Sequence, residues 1–173
     1  MKERRDAIVL IGFMGAGKSS VGRTLARLTG LSRFDTDEMV AARFGLTVSE
    51  IFENQGEEAF REAETEALRE LAGKRGAIIT TGGGILLKPE NVELVRQLGT
   101  IVHLEADEET LFRRINRRTT RPLLRTENPR ATLTELLRVR LPLYRVAADL
   151  QVDTSRLTHD EVANKILNHI ENR

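Results

Sequence analysis

Eight residues near the N-terminus, Gly12-Phe13-Met14-Gly15-Ala16-Gly17-Lys18-Ser19, fit the pattern G-x-x-x-x-G-K-[ST] and follow the apolar run Ala7-Ile8-Val9-Leu10-Ile11. The chemistry such a stretch can do is phosphate binding. Its glycines let the backbone turn so that successive N–H groups face phosphate oxygens, and a helix opening near Gly17 adds the positive end of its dipole. Gly15, Ala16, Gly17, Lys18, Ser19 and Ser20 are the expected nucleotide contacts. Lys18 would reach the β- and γ-phosphates, and the Ser19 hydroxyl would sit on Mg²⁺.

Further along, Asp35-Thr36-Asp37 stands at the carboxyl end of a short expected strand, the edge at which open parallel sheets hold ligands. Alternation along an extended segment sends Asp35 and Asp37 to one side, so one carboxylate could serve the metal while the other holds a substrate hydroxyl. Alone, such a pair is more often a helix cap or a solvated turn; beside a phosphate loop the odds reverse. Gly82-Gly83-Gly84 ends an expected buried strand, either as a tight turn or because something approaches the backbone closely. Arg61 lies between acidic residues, ordinarily the mark of a surface ion pair, and Arg140 precedes Pro142, ordinarily on a solvated helix face. Arg113, Arg114, Arg117, Arg118, Arg121, Arg125 and Arg130 crowd a helix end and a polar stretch interrupted by Pro122 and Pro129. In a protein that binds polyphosphate, a mobile lid over residues 117–130 explains that charge with fewer assumptions than a nucleic-acid patch.

The elements that must position these residues alternate. Strands are expected at residues 7–11, 33–35, 77–81, 100–105 and 149–153, separated by amphipathic helical stretches. This is the pattern of βαβ units with right-handed crossovers, an α/β fold whose parallel sheet is covered on both faces. The first helix carries Val21, Leu25 and Leu28 at helical spacing and ends near Gly30. Residues 36–44 and 57–71 should be helical, and Thr47-Val48-Ser49-Glu50 has capping-box form. The helices inserted between the second and third strands, about 36–63, make a natural substrate lobe. Pro89 suits a first helical position, and Asp107 can cap the helix of Leu111, Phe112 and Ile115. Thr132 to Glu135 is a second capping box, opening a helix that should kink at Pro142. Thr158 to Glu161 is a third, before the stripe Val162, Ile166, Ile170.

At 173 residues the chain suits one domain, and 27 Lys+Arg against 26 Asp+Glu leave a formal charge of +1. That balance supplies no general field for nucleic acid or a membrane, and 4% aromatics give few stacking platforms. Without cysteine there is no disulfide framework or thiolate nucleophile, which is compatible with a reducing compartment. His103, His159 and His169 lack metal-ligand spacing. The basic start followed by an apolar run imitates a secretory signal, but the phosphate loop falls where cleavage would be needed. A cytoplasmic monomer acting on small molecules is the expectation.

The phosphate loop, Asp35-Thr-Asp37, Phe60-Arg61, Gly82-Gly-Gly84, Arg121-Pro-Leu-Leu124 and Arg140-x-Pro-Leu-Tyr144 stand in the order and approximate spacing of the shikimate kinases. From end to end the chain resembles that family of small nucleoside-monophosphate-kinase-like enzymes. The resemblance implies transfer of the ATP γ-phosphoryl group to the 3-hydroxyl of shikimate, on the route to chorismate and the aromatic amino acids. It also implies a three-layer αβα P-loop fold with a five-stranded parallel sheet of order 2-3-1-4-5, a helical substrate-binding block and a closing lid. Carried over, Lys18 and Ser19 hold phosphate and Mg²⁺, with Asp35 a metal partner through water. Asp37 binds ring hydroxyls and draws the proton from the attacking one. Arg61 and Arg140 pair with the shikimate carboxylate, the Gly83 backbone meets a hydroxyl, and Arg121 arrives with the lid on the ATP phosphates. The stretch between Ile115 and Arg121 looks shorter than in many members, leaving Arg117 or Arg118 to flank adenine, with residues 155–159 on the adenine side.

Gluconate kinases share the loop and architecture and form the nearest rival reading. A nucleotide-gated switch is the rival from another class, but no Asn-Lys-x-Asp guanine signature is present.

Overall fold

Five apolar residues in a row make β1 (Ala7–Ile11) a strand that must be covered on both faces, and all five are buried. The computed structural model describes residues 6–117 and 125–172. β1 pairs in parallel with β3 (Ala77–Thr80) on one side and β4 (Gly99–Glu105) on the other, with Ile8 level with both Ile78 and Thr100. The more polar β2 (Ser32–Asp35) and β5 (Leu150–Asp153) take the edges, so the described residues form one five-stranded parallel sheet of order β2-β3-β1-β4-β5. That is the expected order. Strand ends move by a residue or so. Thr81 leaves β3 and turns its N–H and hydroxyl onto the Leu10 carbonyl, at 3.1 and 2.9 Å.

The helices over the sheet are amphipathic for the reason their sequences suggest. α1 (Lys18–Thr29) buries Val21 and Leu25, α5 (Pro89–Leu98) buries Val95 and Leu98, and α8 (His159–Glu171) buries Val162, Ala163 and Ile166. Each fully buried Val, Leu or Ile contributes about 1.5–3 kcal/mol. Between β2 and β3, α2 (Thr36–Phe44), α3 (Val48–Asn54) and α4 (Gly56–Leu71) carry a small apolar core of their own, built on Val40, Ile51, Phe60, Ala63 and Ala67. α4 continues as one helix past residue 63 to Leu71, as expected. The capping box expected at Thr47 is present in full.

After α6 (Glu108–Asn116), capped by Asp107 as expected, residues 118–124 of the expected lid, Arg118 and Arg121 among them, lie outside the described residues. α7 (Pro129–Ala147) starts three residues before the expected Thr132. The Asn128 side chain accepts from the Ala131 N–H at 3.1 Å, and Pro129 takes the first helical position, where its missing N–H costs nothing. Thr132 then lies inside the first turn, its hydroxyl donating back to the Asn128 carbonyl. Pro129 and Arg130 are therefore helical, not loop. Pro142 stands on an exposed face of α7, which continues past it to Ala147. Among the described residues no helix is long and apolar enough to cross a membrane.

Candidate active site

At the carboxyl end of β1 the chain turns through Gly15 and Gly17, whose φ angles of +82° and +98° lie where a side chain is strained. Lys18 opens α1 and is 9% exposed; its Nζ donates to the carbonyls of Gly12 and Phe13 at 2.7 and 2.9 Å. The loop and first turn, Gly15 to Ser20, form one wall of a cleft of about 1000 Å³. Arg114, Arg117, Leu157 and His159 line it as well. Arg117 is thus at the cleft, while Arg118 is outside the described residues. Arg114 plays a larger part than its place in a basic cluster suggested. It donates to the Gly15 carbonyl at 3.2 Å and to the Thr154 carbonyl at 2.8 Å, and the Thr154 hydroxyl donates to Ala16 at 2.9 Å. The signal was the spacing Leu111, Arg114, Ile115, which puts the arginine on the face of α6 that also carries two buried residues.

The two aspartates part company. Asp35 ends β2 and caps α2, its Oδ1 accepting from the N–H groups of Asp37 and Glu38 at 3.0 and 3.4 Å. Its Oδ2 receives the Ser19 hydroxyl at 3.4 Å, beside the phosphate loop. Asp37 lies in the first turn of α2, so the expectation that extended alternation sends both carboxylates to one side fails. The short Asp35 side chain competes for the free N–H groups of the helix start and turns the chain there. Asp37 faces a second pocket instead.

That pocket encloses about 450 Å³ of space, counting its open mouth. Asp37, Arg61, Glu64, the three glycines and Arg140 line it, with Met14, Val48, Phe52 and Phe60 as apolar wall. Met14 belongs to the phosphate loop, so this pocket reaches the loop whose next residues, from Gly15 on, wall the cleft. Arg61 and Arg140 are 8% and 3% exposed, and neither is the solvated surface group its sequence context suggested. Arg61 does pair with acidic neighbours on its own helix, as that context suggested. Its Nη1 donates to Glu64 Oε2 at 2.7 Å, and its Nε and Nη2 reach Glu57 Oε1 at 3.3 and 3.1 Å.

Glu64, passed over in the sequence, is fully buried, and its Oε1 has no hydrogen-bond partner among the described residues. Burial pushes its carboxyl up to about 7 against the opposing pull of Arg61, and Asp37 adds to the rise. The glycines answer to close approach. A Cβ added at Gly82 would lie 2.6 Å from both Asp37 Oδ1 and Glu64 Oε1, and one at Gly84 would overlap the Arg61 guanidinium.

The oxygen donors Ser19 Oγ and Asp35 Oδ2, side by side at the phosphate loop, suit a hard divalent cation. Among the described residues no cluster of three His, Asp or Glu side chains stands ready to hold one alone, so nucleotide phosphates and water would complete its shell.

A parallel sheet of this order, with a glycine loop running into a helix at the end of its central strand and a carboxylate- and arginine-lined pocket beside it, defines a small P-loop kinase. A family model described as shikimate kinase matches residues 14–171. The chain belongs to the shikimate kinase family. A shikimate kinase of Ralstonia nicotianae is 43% identical over 164 residues, covering 95% of this chain and 86% of that protein. The structure of a shikimate kinase from Acinetobacter baumannii in complex with shikimate superposes with a TM-score of 0.94 at 39% identity, over 98% of this chain and 95% of that one. A gluconokinase from Sinorhizobium meliloti 1021 shares the fold at a TM-score of 0.60 and 18% identity, over 99% of this chain and 94% of that one.

Proposed function

We propose that the protein transfers the γ-phosphoryl group of ATP to the 3-hydroxyl of shikimate, giving shikimate 3-phosphate and ADP on the route to chorismate and the aromatic amino acids. The observation that carries the reading is the second pocket: two buried arginines and Asp37 gathered around three glycines, adjoining the phosphate loop through Met14. Arg140 has no acidic partner among the described residues and Arg61 keeps N–H groups that Glu57 and Glu64 do not take, so the pair suits an anion, and a planar carboxylate matches their geometry. Asp37 supplies an acceptor for a ring hydroxyl, and the backbone at Gly83 approaches the ring where no side chain intervenes.

Each side chain then has a task in an in-line transfer. Arg61 and Arg140 hold the acid, and Asp37 orients the attacking hydroxyl and takes its proton. The N–H groups of Gly15 to Ser20 cradle the phosphates, while Lys18 leaves the loop carbonyls for the β- and γ-phosphates and stabilises charge on the transferring group. Arg121 adds positive charge from the lid that precedes α7. Ser19 and, through water, Asp35 would hold Mg²⁺, which neutralises phosphate charge when bound. Arg114 in α6 and Arg117 just past its end, with Leu157 and His159 at the start of α8, bracket the base. The single domain of 173 residues contains both sites and works as a cytoplasmic monomer on small molecules, without nucleic acid or membrane.

ADP release measured over shikimate, quinate and gluconate tests the reading. Turnover should depend on shikimate. Preference for gluconate, or nucleotide hydrolysis indifferent to all three acids, would overturn it in favour of a sugar-acid kinase or a nucleotide switch.

A further inference from the structure

Behind the acceptor pocket, α7 buries two polar side chains one turn apart, Arg140 at 3% and Tyr144 at 1% exposure. Their i,i+4 spacing puts them on one helix face. The Tyr144 hydroxyl donates to the Gly83 carbonyl, and its oxygen stands beside the Arg140 guanidinium. The ring rests on His103 of β4, with centroids 5.1 Å apart and planes tilted by 36°. Burial, with the cations Arg145 and Lys18 nearby, holds His103 down at about 4, so this support is a neutral ring at physiological pH. Burial also raises the phenol, which stays a donor.

Three successive glycines have little conformational preference of their own, so their path through the pocket must be held from outside. Gly82 is held by the Thr36 hydroxyl on its N–H and by the Ile85 N–H on its carbonyl, at 3.1 and 3.2 Å. The Gly84 carbonyl receives the Leu87 N–H at 3.1 Å. The Gly83 carbonyl is held by Tyr144, a side chain from the far end of the sequence. Because a peptide unit is planar, fixing that oxygen fixes the whole Gly83–Gly84 unit. Arg61 packs directly on Gly84, and Arg140 Nη1 would lie 3.5 Å from a Cβ at Gly83. One hydroxyl therefore sits where the glycine backbone and both arginines meet.

We infer that Tyr144 is the positioning residue of the acceptor pocket: its hydroxyl holds the Gly83–Gly84 peptide and Arg140 in register, so that backbone and arginines meet one substrate together. Tyr144 lines neither cavity and acts through the groups it orients. The inference rests on the acceptor reading given above and adds the residue that sets it.

Tyr144→Phe keeps the ring and its stack on His103 and removes the hydroxyl. The KM for shikimate should rise about 10-fold, in line with loss of a buried hydrogen bond, while kcat and the KM for ATP stay within about twofold. Val162→Ala, a cavity variant in α8 outside both pockets, should lower the melting temperature and leave the KM for shikimate unchanged. Tyr144→Phe that melts lower but keeps the wild-type KM for shikimate would make Tyr144 a core residue only and overturn the inference, as would equal rises for both substrates.

Tyr144 is the chain's single tyrosine, so 3-fluorotyrosine labels this position alone and gives a second measurement that needs no mutation. Its fluorine resonance should shift on addition of shikimate; a resonance that shikimate leaves unmoved overturns the inference. Wild-type protein that fails to phosphorylate shikimate overturns the proposed function and this inference with it, a result distinct from either of the others.

Discussion

Arg61 and Glu64, one turn apart on α4, share a 2.7 Å hydrogen bond inside the acceptor pocket, with the Glu64 side chain wholly removed from water. Burying such a pair gains little stability, since desolvation of both charges offsets their attraction. What it supplies is orientation. Glu57 takes the Nε and Nη2 side of the guanidinium and Glu64 takes Nη1, leaving part of the N–H fork for a ligand carboxylate.

The first prediction concerns pH. Glu64 titrates near 7 because burial disfavours its charge, and a protonated Glu64 competes less with a ligand anion for Arg61. Affinity for shikimate should therefore rise about 3- to 10-fold between pH 8 and pH 6 and be nearly flat over that range in Glu64→Gln. The folded pKa lies above the usual 4.5, so the carboxyl's contribution to stability is complete below 4.5 and is lost as pH rises through about 7. Melting curves should show Glu64→Gln gaining on wild type over that window. A pH-independent difference would remove Glu64 as the titrating group.

The second concerns Lys18, whose Nζ lies on two loop carbonyls within reach of the expected phosphates. Lys18→Met should abolish phosphoryl transfer with the fold intact, because an apolar chain of similar length cannot stabilise transferring charge. Circular dichroism checks the fold and ADP release the activity; wild-type turnover in this variant would remove Lys18 from the mechanism.

A third separates the aspartates. Asp37→Asn should lower kcat by about 10²-fold or more if Asp37 takes the proton, with nucleotide affinity almost unchanged. Asp35→Asn keeps a capping oxygen but loses the carboxylate beside Ser19, so it should raise the Mg²⁺ requirement and leave the helix cap nearly intact. Exchange of these phenotypes would exchange the roles.

How much was legible follows from which signals are local. The apolar runs at 7–11 and 77–80 announce buried parallel strands, and the capping boxes at Thr47 and Thr158 are satisfied as their spacing implies. Asn128 competed with the Thr132 box and won, because Pro129 can occupy only a first-turn position. Arg61 between acidic neighbours reads as a solvated ion pair until Phe52 of α3 and the backbone at Gly84 close over it, and nothing local to α4 records that burial. Glu64 was missed for the same reason. The glycine triplet left both a turn and a close approach open, and only the positions of Arg61, Asp37 and Glu64 decide between them.

The fourth prediction uses that decision. A methyl group at Gly84 would occupy the place of the Arg61 guanidinium, a group held by Glu57 and Glu64 and so not free to swing away. Gly84→Ala should raise the KM for shikimate at least 10-fold and leave the KM for ATP within about twofold, since the clash displaces the acid-binding arginine and not the phosphate loop. An unchanged KM for shikimate would show that Arg61 can relocate without loss.

The last concerns the arginines directly. Arg61 and Arg140 enter the pocket from α4 and α7, which belong to different parts of the chain, and each is buried. Arg61→Ala and Arg140→Ala should each weaken shikimate binding by roughly 2 to 5 kcal/mol, because removing one partner of a desolvated charge pair leaves the other uncompensated. Arg61→Ala also strands Glu64, so part of its loss will appear as lower stability, whereas no ion pair of Arg140 is seen among the described residues and its loss should fall mainly on the ligand. A shikimate analogue with hydroxymethyl in place of the carboxylate separates charge recognition from packing. It should bind wild type poorly and lose little more in either variant. Titration calorimetry giving equal losses for acid and analogue would mean that the arginines shape the pocket without reading the carboxylate.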